Sequence, residues 1–444
     1  MRYAALALIL GLGSAVAPAD GAWKAGVAKV AITPSESIWM AGFGSRNKPS
    51  EGVRQDLYAK ALALQDDSGK PSVIVTLDLV AIEREMAQAI ADRCRERYGL
   101  SRDRLMFNIS HTHSGPVAGL VLMPLYELTP EQREVIRRYT VSLMDKTVDV
   151  VGAAIGNLAP ATLDFGQGFA GIAVNRRRVG RRELPGPVDQ DVPVLRVRDA
   201  AGNIRAIAAG YACHATALND YQIGGDWPGY AMEEIEKAHP GATALFIQGA
   251  GADSNALPRR TVELAKNYGQ TLAAAVDEVV KGRMKPLSGP LATALDYVDL
   301  PFQTVPTRDE LQARLTDKNV FRQRQARRLL EVLEKEGKVP ASYPYPVQVW
   351  QFGPELKLIA LGGETVVDYS LRLKGLHGWN NTWVAGYSND ILAYIPSRRV
   401  LQEGGYEGGE AMIYFGRPAP FDGSVEDLIV DEVAKLVKRT ATHP

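Results

Sequence analysis

The stretch that decides the fold reads Leu105-Met106-Phe107-Asn108-Ile109-Ser110-His111-Thr112-His113-Ser114-Gly115-Pro116. Its first five residues predict a buried strand, and Gly115-Pro116 ends regular structure. Polar groups at the carboxyl end of a strand are candidates for chemistry in an open α/β sheet. His111 and His113 are two residues apart, so an extended backbone points both rings to one side, where one ring could bind a metal. The alternative is that the two imidazoles only cap the strand through backbone groups.

The segments around this stretch predict an α/β fold, a mixed sheet with helices packed on it, in a single large domain over residues 23–444. Strand 72–77, helix 83–98 and strand 105–109 make a βαβ unit. Thr129-Pro130-Glu131-Gln132 predicts a helix start with a capping box and a proline in the first position. Further strands are expected at Gly26–Ile32, Leu57–Leu64, Val192–Val197, Ile204–Ala212, Ala242–Ile247, Val347–Phe352, Leu356–Leu361 and Thr382–Tyr387.

Composition indicates an ordinary globular protein. The 444 residues are 46% hydrophobic and 23% charged, with a formal net charge of zero. A neutral balance argues against a nucleic-acid-binding surface. Cys94 and Cys213 are the only cysteines, which permits one disulfide but no disulfide scaffold, and we expect two buried thiols.

The N-terminus is typical of a secretory signal peptide over residues 1–22. Met1-Arg2 supplies a positive start, Ala4–Leu12 an apolar run and Ala15-Val16-Ala17 a small-residue cleavage site. Because Pro18 would hinder cleavage after Ala17, Ala22 is the alternative end of the leader. The apolar run is too short to span a bilayer. We therefore expect a secreted or periplasmic protein.

Several polar groups besides the two histidines follow predicted strands. They are His214, the Asp253-Ser254-Asn255 stretch and Glu364. Each has an ordinary reading alone, such as a hydrogen-bonded histidine at a strand end or a carboxylate at a helix N-terminus. If their strands share a sheet and a direction, the groups converge on one edge. Two or three imidazoles with one carboxylate is zinc chemistry, with an open position for a water of lowered pKa.

The histidine stretch resembles the Thr-His-Thr-His-Ser-Gly-Pro-Gly motif of the neutral/alkaline ceramidases. The resemblance extends over most of the chain after the leader. It includes Asn175-Arg176, Cys213-His214-Ala215-Thr216, Gly229-Tyr230, Phe246-Ile247-Gln248-Gly249-Ala250, Gly363-Glu364 and the tyrosine-rich region.

The resemblance implies a zinc ion held by His111, His214, Glu364 and Tyr394. A second active-site tyrosine of the family follows the ligand tyrosine by twelve residues within Tyr-Glu-Gly, and Tyr406-Glu407-Gly408 stands at that spacing here. His113 and Arg176 match polar groups of the family that lie near the zinc without binding it.

Two departures from the family pattern stand out. The Gly-Asp-x-Ser-Pro motif reads Ala252-Asp253-Ser254-Asn255-Ala256, so Asn255 occupies the serine position. Full-length members also carry a C-terminal immunoglobulin-like β-domain, whereas this sequence ends soon after its last predicted helix. The chain thus resembles the catalytic domain alone, which bears on lipid-surface docking and on ceramide as the substrate.

The expected function is a zinc-dependent amidohydrolase that cleaves the N-acyl amide bond of ceramide or a related N-acyl lipid with a zinc-activated water. His113 would carry the proton to the leaving amine, while Arg176, Tyr406 and the Asn255 amide would orient the substrate or stabilise the oxyanion. Expected partners are an N-acyl substrate and, transiently, a membrane surface; the oligomeric state stays open. The alternatives are a hydrolase of another N-acyl amine or of an ester, and a non-catalytic binding protein that keeps the fold.

Overall fold

A computed structural model of the chain describes residues 23–178 and 186–441. The predicted signal peptide lies outside the described residues. The strands of the described part are β1 Trp23–Ala31, β2 Gly52–Val53, β3 Tyr58–Gln65, β4 Pro71–Leu77, β5 Leu105–Ile109, β6 Ala159–Phe169, β7 Ala173–Asn175, β8 Asp191–Asp199, β9 Ile204–Tyr211, β10 Gln222–Ile223, β11 Thr243–Gln248, β12 Ser254–Ala256, β13 Lys285–Leu287, β14 Leu291–Pro301, β15 Ser342–Phe352, β16 Leu356–Leu361, β17 Glu364–Thr365, β18 Thr382–Ala385 and β19 Tyr394–Ile395.

Several helices begin after a residue whose side chain accepts from a free backbone N–H group. At the start of α2, the Thr129 side chain accepts from the Gln132 N–H and the Gln132 side chain accepts from the Thr129 N–H, which is the predicted capping box. The helices are α1 Arg84–Tyr98, α2 Pro130–Gly156, α3 Asp226–Ala238, α4 Val262–Lys281, α5 Arg308–Arg314, α6 Val320–Glu336, α7 Val367–His377, α8 Arg398–Glu403, α9 Gly405–Gly408 and α10 Val425–Ala441. No described helix is long and apolar enough to cross a membrane.

The larger sheet carries the βαβ unit expected from the sequence. Strands β4 and β5 pair in parallel across α1, and the order along the sheet is β11-β9-β8-β6-β1-β3-β4-β5, with β13 beside β6. Both parallel and antiparallel pairs occur, so the prediction of a mixed α/β sheet is confirmed. The two ends of this path also approach each other. The backbone N–H of Gln248, the last residue of β11, donates to the Asn108 side chain on β5 at 2.7 Å.

A second sheet, β14-β15-β16-β18, packs on the first and was not predicted. Leu62 and Ile74 of the large sheet share one apolar core with Trp350 and Trp383 of the second sheet. Alternate residues on the same strands point the other way, because side chains on a strand alternate between its faces. Helices α1 and α2 cover the outer face of the first sheet and α10 the outer face of the second. The layers therefore run helix, sheet, sheet, helix.

Cys94 and Cys213 are buried free thiols, as expected. Burial raises the pKa of the Cys94 thiol to about 12. Burial raises the pKa of Cys213 further above its ordinary value. Neither thiol is therefore ionised near neutral pH.

Candidate metal centre

His111 stands in a strained loop directly after β5. Its backbone has φ +57°, in the left-handed region that few residues other than glycine adopt. This turn places the ring Nδ1 2.6 Å from the Val80 carbonyl oxygen. A carbonyl can only accept, so Nδ1 carries the proton and Nε2 keeps a free lone pair. The lone pair points to the interior, where His111 is almost fully buried.

His214 follows β9 and repeats the same arrangement. Its Nδ1 lies 2.9 Å from the Gly251 carbonyl oxygen, so this ring also presents a free Nε2. The Trp227 indole N–H donates to the His214 carbonyl at 2.8 Å and fixes the backbone. A backbone carbonyl that orients a histidine through its other nitrogen is the usual support of a metal-binding imidazole.

Glu364 and Tyr394 are neighbours on two very short parallel strands. They are direct partners in the β17–β19 pair, so both side chains leave the same side of it. Glu364 Oε2 lies 3.1 Å from Nε2 of His214 and 3.3 Å from Nε2 of His111. The Tyr394 hydroxyl lies 3.3 Å from Nε2 of His214. The four residues that resemblance assigned to zinc are therefore side by side.

His113 joins the same cluster from the partly exposed side. Its Nε2 lies 3.0 Å from Nε2 of His111, and its ring packs on Phe43 at 4.8 Å between centroids. The nitrogen atoms of His111, His113 and His214 all fall within 4.8 Å of one another, a spacing that could hold a metal ion. The three histidines are thus a second possible set of metal ligands, besides the set that the family resemblance implies. Both sets include His111 and His214.

The donor set fits a divalent cation. The Nε2 atoms of His111 and His214 have no proton to give to Glu364, yet both stand within 3.3 Å of its Oε2. Lone pairs facing one another at such distances repel unless a cation lies between them. Imidazole nitrogen with carboxylate oxygen is a donor set that suits zinc.

Burial favours the neutral form of two of the three imidazoles. It lowers the pKa of His214 to about 4, and the nearby Arg176 charge adds to the effect. Burial and the neighbouring histidines hold the pKa of His113 well below 6.5. The Glu364 carboxylate beside neutral imidazoles therefore gives the cluster the donors and the negative charge that suit a cation.

Arg176 and Tyr406 form the wall behind Tyr394. Arg176 donates from Nη2 to the Tyr394 hydroxyl at 3.1 Å and from Nε to Glu407 at 2.7 Å, so the guanidinium is fixed in place. The Tyr406 ring packs on the Tyr394 ring with centroids 5.2 Å apart. Tyr406 remains 43% exposed, which places it at the rim. Both residues lie where the resemblance predicted.

The side chains of Asp253 and Asn255, in the stretch that replaces the family's Gly-Asp-x-Ser-Pro motif, make different contacts. Asp253 Oδ1 accepts from the Val367 N–H at 2.9 Å and so caps α7, a structural role. Asn255 lies beside His214 through a parallel bridge and accepts at Oδ1 from the Thr216 hydroxyl at 3.3 Å. Ser254 and Asn255 are successive residues of β12, so their side chains point to opposite faces. Asn255 is therefore a backbone neighbour of His214, and its role stays a prediction.

Two residues at the site were missed by the sequence reasoning. The Tyr387 hydroxyl lies 3.4 Å from Glu364 Oε2, and its ring is 4.6 Å from the His111 ring between centroids. Asn108 supports the loop below His111 through its bond to Gln248. Tyr387 is the last residue of the predicted strand Thr382–Tyr387, and its place at a strand end was the available signal. Asn108 carried none, because a polar residue inside an apolar strand does not reveal its partner.

The fold and the cluster together define an α/β protein with a buried histidine–carboxylate cluster whose spacing could hold a metal ion. Residues 23–255 match the N-terminal domain of the neutral/alkaline non-lysosomal ceramidases. That match covers more than half of the chain, and the chain belongs to this family.

Relatives of known name agree with this assignment. Neutral ceramidase A of Dictyostelium discoideum is 26% identical over 241 residues, which cover 51% of this chain and 33% of that protein. The neutral ceramidase of Mycobacterium tuberculosis is 26% identical over 228 residues, or 47% of this chain and 35% of the relative. The matched stretch thus spans about a third of these relatives.

Solved structures share the fold over nearly the whole chain. Neutral ceramidase from Pseudomonas aeruginosa superimposes with a TM-score of 0.74 at 20% identity, covering 95% of this chain and 75% of that one. A ceramidase complexed with C2 gives a TM-score of 0.74 at 18% identity and covers 96% and 77% of the two chains. At these identities the likeness concerns the fold.

Proposed function

We propose that this protein is a zinc-dependent amide hydrolase of the ceramidase type, which cleaves the N-acyl amide bond of ceramide or a related N-acyl lipid. The observation that carries the proposal is the convergence of His111, His214, Glu364 and Tyr394, with two Nε2 lone pairs aimed at one carboxylate oxygen. Family membership and the names of the relatives support the amide as the bond that is cleaved.

The residues of this chain would divide the work as follows. His111, His214 and Glu364 hold the ion, with either Tyr394 or His113 as the further donor. A bound zinc ion would polarise the substrate carbonyl and lower the pKa of a water molecule. Arg176, fixed by Glu407, directs positive charge to the Tyr394 side of the centre, where a developing oxyanion would be stabilised.

Where Tyr394 is the further donor to the ion, His113 is the proton carrier. Its pKa lies well below 6.5, so the ring is neutral near pH 7 and can accept a proton. It is also the most exposed of the three histidines, which places it closest to an entering substrate. Tyr406 at the rim would orient the substrate.

The decisive experiment combines metal analysis with a substrate panel. We expect the purified protein to contain one zinc per chain and to hydrolyse at least one of ceramide, N-acyl ethanolamine or N-acyl glycine. Glu364→Gln and His214→Ala should lose the metal and the activity together. His239→Ala, which changes a histidine outside the centre, should keep both. Full turnover after exhaustive chelation would exclude a metal-dependent reaction.

A second candidate is a binding protein that retains the fold. The asparagine at position 255, where the family has a serine, is the observation that favours it. Metal binding with no hydrolysis of any amide or ester in the panel, together with saturable binding of one of them, would support this candidate.

We also propose that the chain is secreted or periplasmic, because residues 1–22 have the pattern of a signal peptide. The mature N-terminus determined by mass spectrometry after expression with the leader should fall after Ala17 or Ala22. Retention of the intact N-terminus in the cytoplasm would contradict this. A transient contact with the membrane surface belongs to the same proposal and would appear as co-sedimentation with ceramide-containing vesicles.

A further inference from the structure

Two consecutive arginines, Arg259 and Arg260, stand at the rim of the metal centre. They follow β12 and precede α4, whose N-terminus is capped by Thr261. Neither side chain makes an ion pair with a carboxylate anywhere in residues 23–178 and 186–441. Asp226 attracts both arginines at longer range, and its carboxylate accepts from the backbone N–H groups of Ala217 and Leu218. Arg260 donates from Nη1 to the carbonyls of Thr216 and Leu218 at 3.4 and 3.5 Å, so within the described residues the two guanidinium groups have neutral hydrogen-bond partners and no carboxylate in direct contact.

The two guanidinium groups flank the centre from different directions. Arg259 donates from Nη1 to the Thr216 hydroxyl at 3.3 Å, and that hydroxyl donates to Asn255 at 3.3 Å. Thr216 is two residues beyond His214, so Arg259 lies on the His214 side. Arg260 stacks over the Phe43 ring at 5.3 Å, and Phe43 in turn packs on the His113 ring. Arg260 therefore lies on the His113 side.

The surroundings of Arg259 and Arg260 disfavour the charged form of both guanidinium groups. Burial lowers the pKa of Arg259, and repulsion from Arg260 and Arg176 lowers it further. Burial also lowers the pKa of Arg260. The Arg260 backbone has φ +97°, held by its N–H bond to the Ala217 carbonyl at 2.7 Å. Backbone strain and clustered like charge cost stability, and such features persist mainly where function requires them.

We propose that Arg259 and Arg260 form an anion-binding subsite, and that the substrate is an N-acyl amine whose head group carries a carboxylate or a phosphate. Guanidinium groups bind both anions through paired N–H bonds. Ceramide has a neutral head group and would leave these charges unpaired. The amide part of this assignment rests on the proposed function, whereas the anion part rests on the arginines alone.

Binding of uncleavable ligands tests the subsite independently of catalysis. The probes are ketone analogues of N-octanoylglycine and N-octanoylethanolamine, in which a CH2 group replaces the amide nitrogen. Both keep the carbonyl and the chain and differ in head-group charge. Titration calorimetry on the full-length protein should give about tenfold tighter binding of the carboxylate. The preference should shrink as NaCl is raised, because salt screens exposed charges.

Substitutions test whether Arg259 and Arg260 cause the preference for the charged ligand. Arg259→Gln/Arg260→Gln should bring the affinity ratio of the two ligands close to one and leave the alcohol's affinity within about twofold. Arg259→Lys should keep part of the preference, because it keeps the charge and loses the paired donors. Arg283→Gln removes an exposed arginine at the other end of α4 and should leave the ratio unchanged. The phosphate ester of the alcohol analogue shows which anion is preferred, and tighter binding of either anion supports the proposal.

Two results would overturn the subsite: equal affinities of the wild-type protein for charged and neutral ligands, or a charge preference that persists in the double variant. Failure of the proposed function looks different. In that case none of the cognate amides is hydrolysed, while the charge preference and its dependence on Arg259 and Arg260 remain.

Discussion

Asn108 and Gln248 are 140 positions apart, and the Gln248 N–H donates to the Asn108 side-chain oxygen at 2.7 Å. The Asn108 amide nitrogen donates to the Gly386 carbonyl at 2.8 Å, so one buried side chain joins β5, β11 and the end of β18. Each of these strands leads into a loop of the metal centre. The link therefore sets the distance between the His111 loop and the opposite wall.

Asn108→Leu should weaken both the fold and the centre. Burying the freed backbone groups without partners costs roughly 1–3 kcal/mol each, so we expect the free energy of unfolding to fall by about 3 kcal/mol in urea titrations. Zinc affinity, measured by competition with a chelating dye, should fall in parallel. Asn267→Leu, an exposed residue on α4, is the control and should change stability by no more than about 0.5 kcal/mol. Unchanged stability of Asn108→Leu would contradict this account.

Acidification should destabilise the metal-free protein through His214. The unfolded ring has a pKa near 6.5 and the folded ring one of about 4, so the unfolded state binds more protons between these values and stability falls as the pH drops. The full difference corresponds to roughly 3 kcal/mol. Thermal melts in chelator from pH 7 to pH 4 should show this loss.

His214→Gln should reduce that pH dependence, since the variant has no group to charge. His239→Gln should retain it. A wild-type midpoint that stays constant down to pH 5 would show that the ring is not held neutral.

Gly42→Ala should misplace His113. A Cβ at residue 42 would lie 2.3 Å from Nδ1 of His113, and the backbone there has φ +92°. Displacement of a proton-transferring ring by about 1 Å lowers kcat by about 10². Gly69→Ala is the matched control, because its φ is +73° and the added Cβ meets no atom within 4 Å. The control should lose about 1 kcal/mol of stability and no activity. Equal activity losses in the two variants would implicate backbone strain alone.

Asn255→Ala should lower kcat by about 10²–10³ if the amide binds the developing oxyanion. Ser254→Ala should stay near the wild-type rate, because residue 254 points to the other face of β12. The measurement is the rate at saturating substrate. A large loss in Ser254→Ala with Asn255→Ala near wild type would mean that Ser254 is the family serine displaced by one position.

Local sequence signals brought His111 and His214 forward as candidates, because each of them follows a predicted strand. The βαβ unit, the capping box at Thr129 and the paths to His111 and His214 followed from hydrophobic periodicity and turn chemistry. Tyr394 came from the family resemblance and its spacing to Tyr406. The structure places all of these together, and which of them bind metal stays a prediction.

The parts that could not be predicted depend on contacts distant in sequence. The second sheet was not predicted, because the hydrophobic pattern of β15 and β16 does not indicate which surface their apolar side chains will pack against. Asp253 looked like a centre residue, but its carboxylate caps α7, and only the three-dimensional position of Val367 shows it. Tyr387 gained its role from packing on His111, a contact that no spacing reveals.

The cluster of four side chains cannot form before Glu364 and Tyr394 have been synthesised and paired. The His214–Glu364 contact closes a separation of 150 residues, and long closures form late because their entropy is lost before they gain contacts. A chain still on the ribosome would present its histidines long before residues 364 and 394 emerge. Under the proposed zinc-dependent function, such a nascent chain would lack the Glu364 and Tyr394 donors, and stable metal loading would follow synthesis of the second half.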